Sequence, residues 1–312
     1  MIILRGHPFK WEVPAATAVT VGVFDGVHIG HRRVLSDLVE SARLEGLLPA
    51  VVTFDPHPLQ FLGPERAPQM LTSIEQRVEQ FRVLGIEVAG VLYFPDIREL
   101  LAAEFAEDVL AGELRARTVV VGADFRFGRD RRGDATLLEK VGKESGFEVR
   151  VVDMFGHLDG VVSSTRIRAL LNEGAVEAAA ALLARPYELT GNVIRGDGRG
   201  RTIGVPTANL DVGDSTLVPA NGVYATRITV GAEQYQAVVN IGTRPTFAEK
   251  ERRVEAHLLD FDGDLYGQHL AISFTGRLRS EQKFESIDAL KAQIDDDIAR
   301  ARTILAEDIR AG

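Results

Sequence analysis

The chain has no cysteine. Disulfides, thiolate metal centres and thiol catalysis are therefore excluded. Long apolar runs are also missing: none approaches the roughly 18 hydrophobic residues that a membrane span needs. Neither part of the chain is basic. Residues 1–185 hold 21 Lys and Arg against 26 Asp and Glu, and residues 186–312 hold 15 against 19. A nucleic-acid backbone finds no favourable field here. Met1 to Trp11 include Arg5, His7 and Lys10 but no long apolar core, so no secretory signal is expected. The expectation is a cytoplasmic enzyme acting on small molecules, with no membrane or nucleic-acid partner. What is present is an ordinary globular composition: 312 residues, 45% hydrophobic and 26% charged, enough for about two domains.

Along residues 1–172, β-type and helical patterns alternate. Strands are expected at 18–23, 49–54, 88–93, 117–122 and 147–152, and helices at 30–45, 73–83, 104–111 and 133–145. Alternation predicts an α/β, Rossmann-like parallel sheet with helices on both faces, and ligands at the carboxyl ends of its strands. After Gly174 the pattern changes. An Ala-rich helix over 175–184 gives way to Arg185-Pro186. Short β-type runs follow at 187–194, 223–230, 235–241, 254–259 and 270–274, punctuated by Gly and Pro. They predict a small β-barrel or sandwich closed by a helix over about 286–309. The boundary is placed at 185/186. Asp295-Asp296-Asp297 reads as a solvated face of that last helix.

Residues 20–31, Thr-Val-Gly-Val-Phe-Asp-Gly-Val-His-Ile-Gly-His, are the most informative stretch. A β-branched run ends in a glycine-rich turn that opens a helix. Unpaired backbone N–H groups at such a point suit a phosphate, and His28 and His31 add imidazole donors. Three more stretches lie at strand ends or a helix start: Thr53 to Pro58, Val121 to Gly128 and Val162 to Arg168. Together the four resemble the N-terminal module of the prokaryotic bifunctional riboflavin kinase/FMN adenylyltransferases, or FAD synthetases.

That resemblance implies transfer of AMP from ATP to FMN. It implies nucleotide contacts from Gly22, Phe24, Asp25, His28, His31, Asp124, Ser164, Thr165 and Arg168, with Arg166 the neighbouring candidate for the phosphate. His28 and His31 are the implied catalytic groups. Asp124 serves the nucleotide or its metal. Phe54, Pro56, His57 and Pro58 are the implied flavin wall, a rigid and partly aromatic surface suited to a flat ring system.

Gly191 to Asn209 carries a second glycine-rich signature. It fits neither a Walker A loop nor the dinucleotide fingerprint, because no Gly-Lys-Ser/Thr and no helix follows. Pro206-Thr207-Ala208-Asn209 resembles the signature of riboflavin kinases, a small β-barrel family. The likeness continues through Asn221–Ala225, Asn240–Phe247, Val254–Asp260 and Leu278–Phe284. Val205 stands where many members carry Phe, which bears on packing under the loop. The implied substrates are ATP, riboflavin and FMN, and the implied metal is Mg²⁺, on the hard oxygen donors of Thr207 and Asn209. Gly196, Gly198, Gly200, Gly204, Arg279 and Glu281 are the implied nucleotide and flavin contacts. Glu255 is either the general base for the ribityl hydroxyl or a strand carboxylate, and Arg279 and Glu281 form either a flap or surface salt bridges. His257 and His269 read as structural or exposed. A single-activity kinase and a flavin-binding sensor are the other readings.

Overall fold

The computed structural model describes every residue except 153–155, 158–159, 197–199, 201–202, 246–249 and 312. The chain divides into two compact units, Met1–Ser163 and Ser164–Gly312.

The first unit is a six-stranded parallel sheet built from β1 (Ile2–Leu4), β2 (Thr17–Val21), β3 (Leu48–Phe54), β4 (Val88–Leu92), β5 (Ala116–Gly122) and β6 (Glu148–Val152), in the order β1-β4-β3-β2-β5-β6. Its helices are α1 (Ile29–Glu45), α2 (Leu59–Leu62), α3 (Ile74–Val83), α4 (Phe94–Ile97), α5 (Ala102–Glu104) with a π-helical continuation Phe105–Glu113, and α6 (Ala135–Ser145). All five expected strands form. β1 was not expected, because three residues leave no periodicity to read.

Alternate residues of each strand enter opposite cores, as the pleat requires. Val19, Val21, Ala50, Val52, Val119 and Val121 pack on one face, and Ala18, Val51, Ala89 and Val120 on the other. This double burial is why β4 reads as an unbroken apolar run. Helix starts are fixed locally: Ser73 and Gln76 form a capping box on α3, and Asp134 accepts from the Leu137 amide at 2.9 Å on α6. Strand order reverses between β2 and β5, so the crevice at their carboxyl ends is the position where such sheets bind ligands. Gly22–His31 and Gly122–Gly128 leave the sheet there. A small ribbon, β7 (Gly156–His157) with β8 (Gly160–Val161), follows β6.

The second unit begins with α7 (Ser164–Glu173) and α8 (Val176–Leu183). A closed antiparallel barrel follows, formed by β9 (Tyr187–Ile194), β10 (Ala208–Asp211), β11 (Gly222–Val230), β12 (Glu233–Pro245), β13 (Lys250–Leu258) and β14 (His269–Arg279) in the order β10-β13-β12-β11-β14-β9. The last helix, α9 (Ile287–Ala311), covers the outer face through Ala301 and Leu305, which pack on Val223, Ala225 and Leu278. Composition changes at Pro186 but packing changes at Ser163. Within the second unit, the Leu171 carbonyl accepts from the Ala220 amide at 2.9 Å. Glu177 accepts from the Arg277 amide at 2.9 Å, and the Arg277 guanidinium donates to the Glu173 and Asn221 carbonyls.

The acidic run on α9 differs from its expected role at one residue. Asp295 and Asp296 are exposed, as a solvated face requires. Asp297 is buried and accepts from Arg279 Nε through both carboxylate oxygens, at 3.0 and 2.9 Å. It shares the inner stripe of α9 with Ile294 and Ala301, three and four residues away, and so meets the barrel.

Candidate active sites

In the first unit, the turn after β2 holds three positive φ angles within four residues: Phe24 at 52°, Gly26 at 81° and Val27 at 42°. For β-branched Val27 this is an uncommon, strained conformation. The surroundings impose it. Asp25 is buried and its carboxylate accepts from the Leu71 and Thr72 amides and the Thr72 hydroxyl, at 3.0–3.1 Å. Thr72 Oγ1 in turn accepts from the Gly26 amide at 3.0 Å. Asp25 therefore fastens the turn to the segment before α3. Phe24 is buried edge-on to His31, with ring centroids 5.2 Å apart.

His28 caps α1. Its Nδ1 accepts from the His31 amide at 3.3 Å, so a neutral His28 carries its proton on Nε2. The His31 ring stacks on His28 at 3.6 Å and 17°. Burial, and then the neighbouring His28, holds His31 well below the ordinary histidine range. His31 Nδ1 is buried without a hydrogen-bond partner. Burial thus disfavours a proton on His31, and an arriving polyanion would favour its charged, donating form.

Next to this turn lies a cavity of about 750 Å³. Gly22 and Val23 of the β2 exit, Phe54, His57 and Pro58 of the β3 exit, and Asp124 to Arg131 after β5 all line it. Leu62, Phe94, Ile97 and Phe105 extend its apolar wall. The structure therefore brings Gly22, Phe54, His57, Pro58 and Asp124 together. Pro56 follows a cis peptide bond beside them, and His57 Nδ1 accepts from the Leu59 amide at 3.1 Å. Ser164 and Thr165 open α7 and Arg168 follows one turn later, at the start of the second unit.

Arg77 was not anticipated. It is 1% exposed. Its Nη1 donates to the Val23 carbonyl (3.0 Å), Thr53 Oγ1 (3.1 Å) and the Phe54 carbonyl (2.9 Å). Its Nη2 lies 3.7 Å from Asp55. Burial disfavours its charge, and Asp25, Asp55 and Glu75 offset that. Burial also raises the Asp55 carboxyl, against the pull of Arg77. The signal was in the sequence: Ile74, Arg77, Val78 and Phe81 form one i, i+3, i+4, i+7 stripe, and a cation on a buried stripe needs acceptors.

In the second unit, strand register aligns Asn209 of β10 with Glu255 of β13, and Glu255 with Asn240 of β12. Val254 and Ala256 on either side of Glu255 are buried, so the three polar residues form a row on the opposite face of the barrel wall. Gly196 closes over it: a Cβ there would lie 2.1 Å from the Asn209 amide nitrogen. The Gly200 carbonyl accepts from the Ile203 and Val205 amides, which folds the glycine loop tightly before Thr207. Gly204 has φ +85°, and Gly198 lies outside the described residues. Glu281 reaches Gly242, next to Asn240, and accepts from Asn221 Nδ2 at 3.1 Å. Arg279 instead pairs with Asp297 and lies 5.6 Å from the Phe284 ring. His257 Nδ1 donates to the Pro206 carbonyl at 2.7 Å, and His269 pairs with Asn192, in keeping with structural roles. Thr207, Asn209 and Glu255 are hard oxygen donors on adjoining backbone, and the space above Asn209 depends on glycine. The set fits Mg²⁺.

Comparison with known proteins agrees with this geometry. The FAD synthetase family matches residues 10–166 and the riboflavin kinase family matches residues 183–305. The bifunctional riboflavin kinase/FMN adenylyltransferase of Escherichia coli (strain K12) is 38% identical over 97% of both chains. The protein of that name from Bacillus subtilis (strain 168) is 38% identical over 95% of this chain and 94% of that one. A solved structure described as a macrolide-efflux protein from Streptococcus pneumoniae matches with a TM-score of 0.89 and 32% identity, over 97% of this chain and 99% of that one. Among the described residues no helix is long and apolar enough to cross a membrane. With both family signatures in order and near full-length relatives on both sides, the chain belongs to the bifunctional riboflavin kinase/FMN adenylyltransferase family.

Proposed function

We propose that the barrel phosphorylates riboflavin to FMN and that the first unit adenylylates FMN to FAD. The stacked His28–His31 pair beside an apolar cavity at the sheet's switch point carries this reading. Residues 1–185 and 186–312 are taken as the two functional modules, and the reaction is placed in the cytoplasm with ATP and free flavin as partners.

In the barrel, Glu255 takes the proton of the ribityl 5′-hydroxyl. The freed oxygen attacks the γ-phosphorus of ATP, the bond to the β,γ-bridging oxygen breaks, and ADP leaves. Asn209 and Asn240 flank Glu255 and hold the reacting groups in register. Thr207 and Asn209 would hold Mg²⁺, which supplies positive charge to the phosphates when bound. Gly196 and Gly200 let the loop backbone approach the nucleotide, and Glu281 shapes the rim near Asn240.

In the first unit, the cavity walls of Phe54, Pro58 and Leu62 receive the flavin ring. An oxygen of the FMN phosphate attacks the α-phosphorus of ATP, and pyrophosphate leaves. His28 donates through Nε2, and His31 gains its proton as the polyanion arrives. Both stabilise charge on the leaving group and cost no reorganisation, since stacking and the α1 cap pre-set them. Ser164, Thr165 and Arg168 are carried as nucleotide contacts on the family resemblance alone. Asp25 and Phe24 act indirectly, by fixing the turn.

The test is incubation with riboflavin, ATP and Mg²⁺, resolving FMN and FAD by chromatography. The wild-type chain should give FAD, and the His28→Ala/His31→Ala double variant should stop at FMN. FAD at the wild-type rate from the double variant removes the histidine assignment.

A further inference from the structure

We propose that Arg77, which lines neither the cavity nor the histidine turn, is the positioning residue that sets the register between the two halves of the adenylyl-transfer site. The inference rests on the reading that FMN occupies the cavity of the first unit. A single nitrogen, Nη1, bonds both strand exits. The Val23 carbonyl belongs to the chain just before the strained turn that presents His28 and His31. The Phe54 carbonyl and Thr53 hydroxyl belong to the chain just before the flavin wall at His57 and Pro58. Thr53 Oγ1 also donates to the Val23 carbonyl, at 2.9 Å. Removing Arg77 takes away its three bonds to the two exits.

Arg77 is an expensive way to join two loops. It is 1% exposed, and its Nε is buried with no hydrogen-bond partner. A buried, incompletely paired cation is a cost to stability, whereas an apolar side chain would extend the stripe of Ile74, Val78 and Phe81. Of the three acidic groups that offset the charge, Glu75 lies on α3 itself, while Asp25 belongs to the turn after Val23 and Asp55 follows Phe54. Arg77 therefore sits at the junction of the phosphate-binding turn and the flavin wall, without touching either ligand. The distance between those two seats decides whether the FMN phosphate oxygen reaches the α-phosphorus, and a misplacement of about 1 Å costs on the order of 10²-fold in rate.

The test uses the full chain with Arg77→Met and Arg77→Lys. Lysine keeps the charge but is one bond shorter, roughly 1.3 Å, so it cannot reach all three acceptors from the same backbone position. For FAD formation, kcat should fall about 100-fold in Arg77→Met and about 10-fold in Arg77→Lys. KM for FMN and for ATP should stay within about threefold, because each seat is intact and only their spacing changes. Riboflavin phosphorylation by the same preparations should be unchanged, and the fluorescence of Trp11, the sole tryptophan, should report a folded first unit. Should Arg77→Met not fold, Arg77→Lys carries the test. A loss of FAD formation that follows the unfolded fraction, or wild-type kcat in both variants, overturns the proposal. Leu62→Trp, which fills the cavity, separates the underlying reading. It should raise KM for FMN at least tenfold, and a wild-type KM there refutes the cavity as the flavin seat and with it the route by which Arg77 acts.

Discussion

Asp297→Asn replaces a carboxylate by an amide of the same shape and leaves the Arg279 guanidinium without its counter-charge. The native pair is well made: Nε contacts both carboxylate oxygens at 3.0 and 2.9 Å, Nη2 lies at 2.8 Å, and the side chains are 16% and 2% exposed. Gln293 Nε2 adds a further bond to Asp297 at 3.1 Å. Breaking a buried pair from one side costs about 3–5 kcal/mol. Arg279 keeps its bond to the Ser280 carbonyl and its own slight exposure, so the lower end, about 3 kcal/mol, applies. In a unit of about 150 residues that lowers the melting temperature by roughly 6–12 °C. The assay is thermal loss of riboflavin phosphorylation, with Trp11 fluorescence as a separate reporter of the first unit, which should not move. KM for riboflavin and ATP at 20 °C should also hold, because Arg279 faces α9. Arg279→Met/Asp297→Leu should recover most of the lost stability, since no unpaired charge is left. A melting temperature within about 1 °C of wild type in Asp297→Asn would show that the pair contributes nothing. A changed KM with unchanged melting would return Arg279 to the substrate.

Glu255→Gln keeps shape but cannot accept a proton, so riboflavin phosphorylation should drop about 10²- to 10⁴-fold while added FMN is still converted to FAD. Normal FMN production would leave Glu255 as a strand carboxylate. Residues 164–312 alone should phosphorylate riboflavin. A fragment starting at 183 loses the acceptors at Leu171, Glu173 and Glu177 and should melt lower; equal melting curves would show that α7 and α8 add nothing to the barrel. His31 has a depressed folded-state pKa, so below about 6.5 the unfolded chain takes up the proton first. Its contribution to stability is present above that pH and is lost as pH falls toward the lowered folded value. Trp11-monitored stability should therefore fall with acid more steeply in wild type than in His31→Gln, and parallel curves would place His31 in an ordinary environment.

The sheet was legible because strands buried on both faces are written as continuous β-branched runs, and because Gly-rich stretches fall at their ends. The barrel was legible as a class, but β10 was not, since its four residues follow directly on the glycine loop. The roles of Asp25, Arg77 and Asp297 were hidden for one reason. Their partners lie 46, 54 and 18 residues away, and only tertiary packing brings those partners within hydrogen-bond reach. Arg77 and Asp297 still left a trace, each being a charge on an apolar helical stripe. Asp25 left none, because an acidic residue before glycine is ordinary turn composition. Motif reading picked out side chains of the types that contact ligands and missed those that hold the loops carrying them.

The two units end their sheets differently, and that has a consequence for how their edges are protected. The barrel closes on itself through β9 and β10, so it offers no free row of backbone donors and acceptors. The parallel sheet has two margins. β6 guards its own with Glu148 and Arg150, which pair with each other, and Arg150 pairs with Glu45 as well. β1 is a strand of three residues whose Ile2 and Ile3 are exposed. Shortness is then what protects this margin, since three residues offer a neighbouring strand few backbone groups to pair with, while the closed barrel needs no such device.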